Sequence, residues 1–137
     1  MIVPTLRHCG SALLLAAAGL SAAAQAATPA ELLAGYSAEA GAVPSPERGK
    51  KLFNTNFGRE LGWSCSSCHG AVPTRDGRDD LSEKAIGPLA PAFNPARFTN
   101  KVKVENAFRL NCRDVVGRDC SAAEKADVLS WLISLKP

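Results

Sequence analysis

Methionine and histidine are nearly absent from this chain: the one Met is Met1, and the two histidines are His8 and His69. A closed zinc site needs four Cys or His ligands, commonly as two closely spaced pairs, and no second such pair is present. Charge of one sign is not in excess either. Lys and Arg number 16 against 13 Asp and Glu, a formal charge of +3, and no basic stretch offers the footprint of a nucleic-acid binder. The one apolar run, residues 11–20, is too short and too rich in alanine to make a good membrane span. No segment shows the alternation of a strand, so a thioredoxin-type redox pair lacks its βαβ setting.

What is there begins with a leader. Arg7 and His8 precede the apolar run, and small residues follow up to Ala24-Gln25-Ala26. A basic start, a short apolar stretch and an Ala-x-Ala end are the marks of a cleaved signal peptide. The expected organisation is therefore residues 1–26 as leader and residues 27–137 as one small domain, exported to the periplasm. A retained anchor is the alternative. No Cys stands at the cleavage point to carry a lipid. Cleavage removes Met1, Arg7, His8 and Cys9. The mature chain then has no methionine, one histidine, and four cysteines at 65, 68, 112 and 120. An even cysteine count in an exported chain permits disulfides. A domain this small has a marginal core, which a covalent cofactor and a disulfide would support.

The mature chain reads as helices joined by irregular stretches. Thr28-Pro29-Ala30-Glu31 is a capping box with Pro in the first turn, opening a helix through about Tyr36, and Gly41 to Pro44 breaks it. Ser45 caps a second helix, with Pro46 first and Gly49, Leu52 and Phe53 toward one side. Thr99 or Asn100 starts a third, with Val104, Phe108 and Cys112 on one face and Gly117 as its stop. Ser121-Ala122-Ala123-Glu124 is a second capping box. The last helix carries a stripe of Val128, Leu129, Trp131, Leu132 and Leu135. Residues 71–94 read as loop, with at most one helical turn near Leu81 to Ala85. A loop that long inside a small all-α domain is expected to cover a ligand.

The chemistry sits at Cys65-Ser66-Ser67-Cys68-His69, the attachment pattern of a c-type haem. Two thiols separated by two residues can each reach one vinyl group of the same porphyrin. The next residue then projects its imidazole beneath the iron. His69 is the mature chain's one histidine, and it stands where haem ligation requires it. Its Nδ1–H is expected to donate to a backbone carbonyl, for which Pro88 in Gly87-Pro88-Leu89 is the candidate; a plain turn proline is the alternative.

The second axial position is the open question. Electron-carrying cytochromes c mostly use His and Met or two His, and the mature chain can supply neither pair. An open site, a water, the chain's own amine, or a Lys, Tyr or Asn remain. Elimination does not choose among them, but each gives an absent or weak sixth bond. Cys112 and Cys120 are expected to bridge the junction of the last two helices, with two free buried thiols as the alternative. By spacing alone, the neighbouring Asn111 reads as a helix-end cap or turn former.

Several segments resemble one group, the sphaeroides haem protein family of bacterial cytochromes c. They are Ala34-Gly35-Tyr36, the Cys65–His69 motif, Pro88-Leu89-Ala90-Pro91, Arg97-Phe98-Thr99, Asn111-Cys112, Val116-Gly117-Arg118-Asp119-Cys120 and Glu124-Lys125-Ala126-Asp127. The Asn-Cys followed by Gly-Arg-Asp-Cys carries most of the specificity.

The resemblance implies an all-α, class I cytochrome c-like domain around one covalent haem c. In it the Pro46 helix crosses the Ser121 helix at Gly49, with Phe53 and Trp131 near the contact. It further implies axial ligation by His69 and Asn111, a Cys112–Cys120 disulfide, and an asparagine that binds ferric iron and leaves on reduction. The opened site would take oxygen, nitric oxide or another diatomic. Electrons would come from a dihaem cytochrome c, with a membrane cytochrome b behind it. A plain electron carrier and a small haem reductase or oxidase of oxygen, nitric oxide or peroxide are the competing functions. The enzyme would need an Arg or a carboxylate as its distal acid–base group, because no second histidine exists. Arg113 and Arg118 are candidates to donate to a bound ligand, against the simpler reading of surface salt bridges.

Overall fold

A computed structural model of the chain describes residues 26–58 and 62–137. The expected leader lies outside the described residues except for Ala26. Five helices are present among the described residues: α1 (Pro29–Ala40), α2 (Pro46–Asn54), α3 (Cys65–His69), α4 (Lys101–Val115) and α5 (Ala122–Ser134). The domain is mostly helical.

The helix starts follow from local hydrogen bonding. Glu31 N–H donates to Thr28 Oγ1 at 3.2 Å, while Thr28 N–H donates to Glu31 Oε2 at 2.7 Å. Ser121 and Glu124 repeat this exchange at the head of α5. Asn100, rather than Thr99, caps α4 by accepting from Lys103 N–H at 2.9 Å. Helix α1 runs past Tyr36 to Ala40, because Gly41 (φ +60°) supplies its left-handed end.

The core lies where α5 packs against α1 and α2, around Leu32, Tyr36, Phe53, Leu129, Trp131 and Leu132. The expected crossing of α2 on α5 is present. A Cβ built on Gly49 would overlap the Asp127 carbonyl, and the Phe53 and Trp131 rings lie 5.0 Å apart. Asp127 sits inside this apolar stripe, 6% exposed. It accepts from Ser45 N–H at 2.6 Å and from both Nε and Nη2 of Arg48, at 2.7 and 2.8 Å. That satisfies a buried carboxylate and ties the start of α2 to α5.

Two expectations for the loop are corrected. A small hairpin is present: β1 (Gly77–Arg78) pairs antiparallel with β2 (Ala85–Ile86). The residues expected to form a helical turn are instead its tip and second strand. There Asp79 Oδ1 accepts from Leu81 and Ser82 N–H, which favours an Asx turn over a helical one. The loop then folds inward: Leu89 and Ala90 N–H both donate to the carbonyl of buried Pro73, at 3.0 and 3.1 Å.

Candidate haem site

Cys65, Cys68 and His69 fall together on α3, a helix of one turn and a little more. Cys65 and Cys68, three apart, are surface neighbours on a helix, and both are free thiols. Burial pushes the Cys65 thiol up to about 11. Serine hydroxyls bracket the turn: Ser67 Oγ accepts from Ser64 N–H at 3.1 Å and lies 3.2 Å from Ser64 Oγ. Behind it passes Gly77, where a Cβ would overlap the Cys68 carbonyl and come within 3.0 Å of His69 Cα. Only a glycine lets the hairpin back so closely onto the motif.

His69 is half-buried. The Phe53 ring centroid lies 6.1 Å from its own, with the planes inclined at 43°. Burial first, and then the positive charge of Arg97, lower its basicity. A less basic imidazole favours the neutral form, the one that ligates a metal.

The Pro88 carbonyl, the candidate acceptor for His69, has two other donors in this structure. Its carbonyl accepts from Arg97 Nε at 2.9 Å and from Asn94 Nδ2 at 3.2 Å, while Arg97 Nη2 donates to the Gly87 carbonyl at 2.6 Å. Both lone pairs of the Pro88 oxygen are thus engaged, and among the described residues the His69 ring makes no hydrogen bond to it. Arg97 and Gly77 are the site residues that sequence reasoning missed. Arg97 stood in a resembling segment but carried no role. Gly77, in a loop rich in Gly and Pro, gave no sign that it faced Cys68.

Asn111 lies on α4, on the flank of the buried stripe of Val104, Cys112 and Val115. It is exposed and is not joined to the Cys65–His69 cluster. Its Nδ2 donates to the Ala107 carbonyl, one turn back, at 2.8 Å. That bond leaves the amide oxygen without a partner among the described residues. The next residue is bridged: Cys112 and Cys120 form a disulfide with Cα atoms 5.7 Å apart. Two ion pairs hold the intervening turn. Arg113 forks onto Asp119 at 2.6 and 3.0 Å, and Arg118 forks onto Glu124 at 2.8 and 2.6 Å. Both arginines are therefore used as salt bridges.

The arrangement suits a covalent haem c: two cysteines three apart and outside any disulfide, an imidazole next to them, and apolar side chains that include Phe53 and Leu89. A domain described as "Domain of unknown function (DUF1924)" matches residues 39–132. The chain is 48% identical over 107 residues to the cytochrome c-type protein SHP of Cereibacter sphaeroides, covering 77% of this chain and 82% of that protein. The chain belongs to the DUF1924 family, that of the sphaeroides haem protein. A structure of oxidised SHP, described as an oxygen-binding cytochrome c, superposes with a TM-score of 0.75 at 46% identity. The match covers 80% of this chain and 99% of that one. Cytochrome c'' of Methylophilus methylotrophus is 41% identical over 96 residues, covering 67% of this chain and 65% of that protein. Its solution structure, reported for insight into haem-ligand detachment, superposes at TM-score 0.69 and 35% identity, covering 80% and 94%. This family member is accordingly a monohaem cytochrome with one covalently bound, iron-containing haem c.

Proposed function

We propose that this protein is a periplasmic, redox-gated cytochrome whose iron binds a diatomic molecule only when reduced. The leader is removed after Ala26, and the domain 27–137 acts outside the cytoplasm. Among the described residues no helix is long and apolar enough to cross a membrane. Cys65 and Cys68 would hold the haem by thioether bonds, and His69 would be a ligand to its iron. The haem c would supply a one-electron iron couple and a coordination site for oxygen, nitric oxide or another diatomic.

Asn111 guards that position. Its amide oxygen is a hard, neutral and weak donor, better matched to ferric than to ferrous iron. It would therefore bind the oxidised site and leave on reduction. The Ala107 carbonyl offers its Nδ2 a resting place on its own helix. The observation that carries this reading is the likeness, at 46% identity, to a structure described as an oxygen-binding cytochrome c, with Asn111 directly before the bridged Cys112. Relatives described as oxygen-binding and as undergoing haem-ligand detachment support it.

Electron transfer and ligand binding fit the site better than peroxidase chemistry. The distal acid–base group would have to be an arginine or a carboxylate, and Arg113 and Arg118 are both engaged in ion pairs. The electron donor we propose is a dihaem cytochrome c, supplied by a membrane cytochrome b. The direct test is Asn111→Ala. Its ferric form should become open or water-bound and take up added ligands faster. An unchanged ferric spectrum and ligand-binding rate would remove Asn111 from the mechanism.

A further inference from the structure

Helix α4 carries Asn111, and side-chain contacts at several points hold it to the rest of the domain. Near its start Glu105 accepts from Lys125 Nζ of α5 at 2.8 Å. The same ammonium stands 5.4 Å from the ring centroid of Tyr36 on α1, within range of a cation–ring attraction. The Tyr36 ring in turn meets Phe108 of α4 edge to face, with centroids 5.9 Å apart and planes at 88°. This chain of contacts leaves α4 at Glu105, passes through α5 and α1, and returns to α4 at Phe108. Tyr36 is 3% exposed and the Lys125 side chain 19%, so water screens this ammonium less than that of a surface lysine. Further along, the Cys112–Cys120 bridge ties α4 to the turn before α5. Asn111 therefore lies between two anchored positions, three residues after Phe108 and one before Cys112.

We propose that Lys125 is a positioning residue, which by joining Glu105 to Tyr36 sets α4 in the orientation from which Asn111 ligates ferric iron. This rests on Asn111 being the sixth ligand of the oxidised haem. A short helix moves as a rod. A contact at Glu105, about 9 Å along the axis from Asn111, thus governs where the asparagine stands. The disulfide fixes one end of α4 but not its tilt. A strong ligand would draw the helix into place by its own bond to the metal. A neutral amide gains too little from iron to do so, and depends on being held in place beforehand. Loosening the clasp should therefore raise the share of ferric protein whose iron is open, and leave haem attachment unchanged.

The test measures how fast imidazole binds the ferric, haem-loaded protein at about pH 8, where imidazole is neutral and a lost lysine charge does not steer it. Asn111→Ala is the reference and should bind faster than the parent. Lys125→Met keeps the apolar stem and loses the charge. It should bind roughly two- to thirtyfold faster than the parent. Lys125→Arg keeps both contacts and should bind at the parent rate. Added to Asn111→Ala, Lys125→Met should change nothing, because no ligand is left to position. A Lys125→Met protein with full haem content and the parent rate overturns the proposal. So does Lys125→Arg binding as fast as Lys125→Met, or an equal acceleration by Lys125→Met when Asn111 is already Ala. If Lys125→Met does not fold, Glu105→Gln is read by the same comparisons with the parent and with Asn111→Ala. Asn111→Ala binding at the parent rate would instead remove Asn111 from the mechanism, and this proposal with it.

Discussion

Gly49 lies directly against the main-chain carbonyl of Asp127, so α2 and α5 cross with no side chain between them. The contact does more than save space. It brings Phe53 to Trp131 and aims the same Phe53 ring at His69. Gly49→Ala places a methyl on a backbone atom that cannot move without unpacking α5. Overpacking of this kind costs about 1–3 kcal/mol, and a denaturant titration should show a loss in that range. Because Phe53 moves with α2, the reduced spectrum should broaden as well. A variant as stable as the parent would mean that the helices separate easily, which argues against the crossing as the core of the fold.

The disulfide is expected to act on both stability and ligation. Closing a loop between residues eight apart is worth about 2–3 kcal/mol by the chain-entropy model. Replacing both Cys112 and Cys120 by Ser should lower stability by about that amount in urea. It should also weaken the hold of Asn111 on ferric iron, since that residue adjoins the freed Cys112. The readout is the fraction of ferric protein in the six-coordinate, low-spin form, which should fall.

Acid should loosen the same corner. The Arg118 guanidinium, helped by Ser121 N–H and hydroxyl, holds the Glu124 carboxyl down to about 2, below its ordinary 4.5. A folded-state value below the unfolded one stabilises the fold above about pH 4.5, and that contribution is lost as pH falls from there toward about 2. The partner Arg118 is more than half exposed, so solvent screening keeps the effect modest. Thermal unfolding of the parent should show stability falling with pH through that window, and Glu124→Gln should flatten the fall. Equal slopes in the two proteins would contradict the assignment.

The parts of this molecule written in adjacent residues were legible from the sequence. The Cys65–His69 motif, the Thr28 and Ser121 capping boxes, and the apolar stripe of the last helix all depend on spacings of a few residues, which chain geometry fixes. Gly49 was legible because a glycine inside a helix has a cost that close packing explains. What stayed hidden joins distant positions. Arg48 reaches Asp127 from 79 residues away, and nothing in the local pattern of either residue marks the pair. An acid within the run Ala126 to Leu132 was the available signal, since a buried carboxylate requires a partner. Arg97 binds main-chain carbonyls, and a carbonyl carries no sequence signature. The β1–β2 hairpin escaped because two-residue strands are too short to show alternation.

The measurement that bears most directly on the redox gate is the absorption spectrum of the purified haem protein, taken oxidised, then reduced, then reduced under carbon monoxide. The account predicts a low-spin oxidised spectrum, a high-spin reduced spectrum, and a prompt, complete shift when carbon monoxide is added. A sharp low-spin reduced spectrum that ignores carbon monoxide would contradict it, because a strong ligand would then remain bound and the protein would be a simple electron carrier.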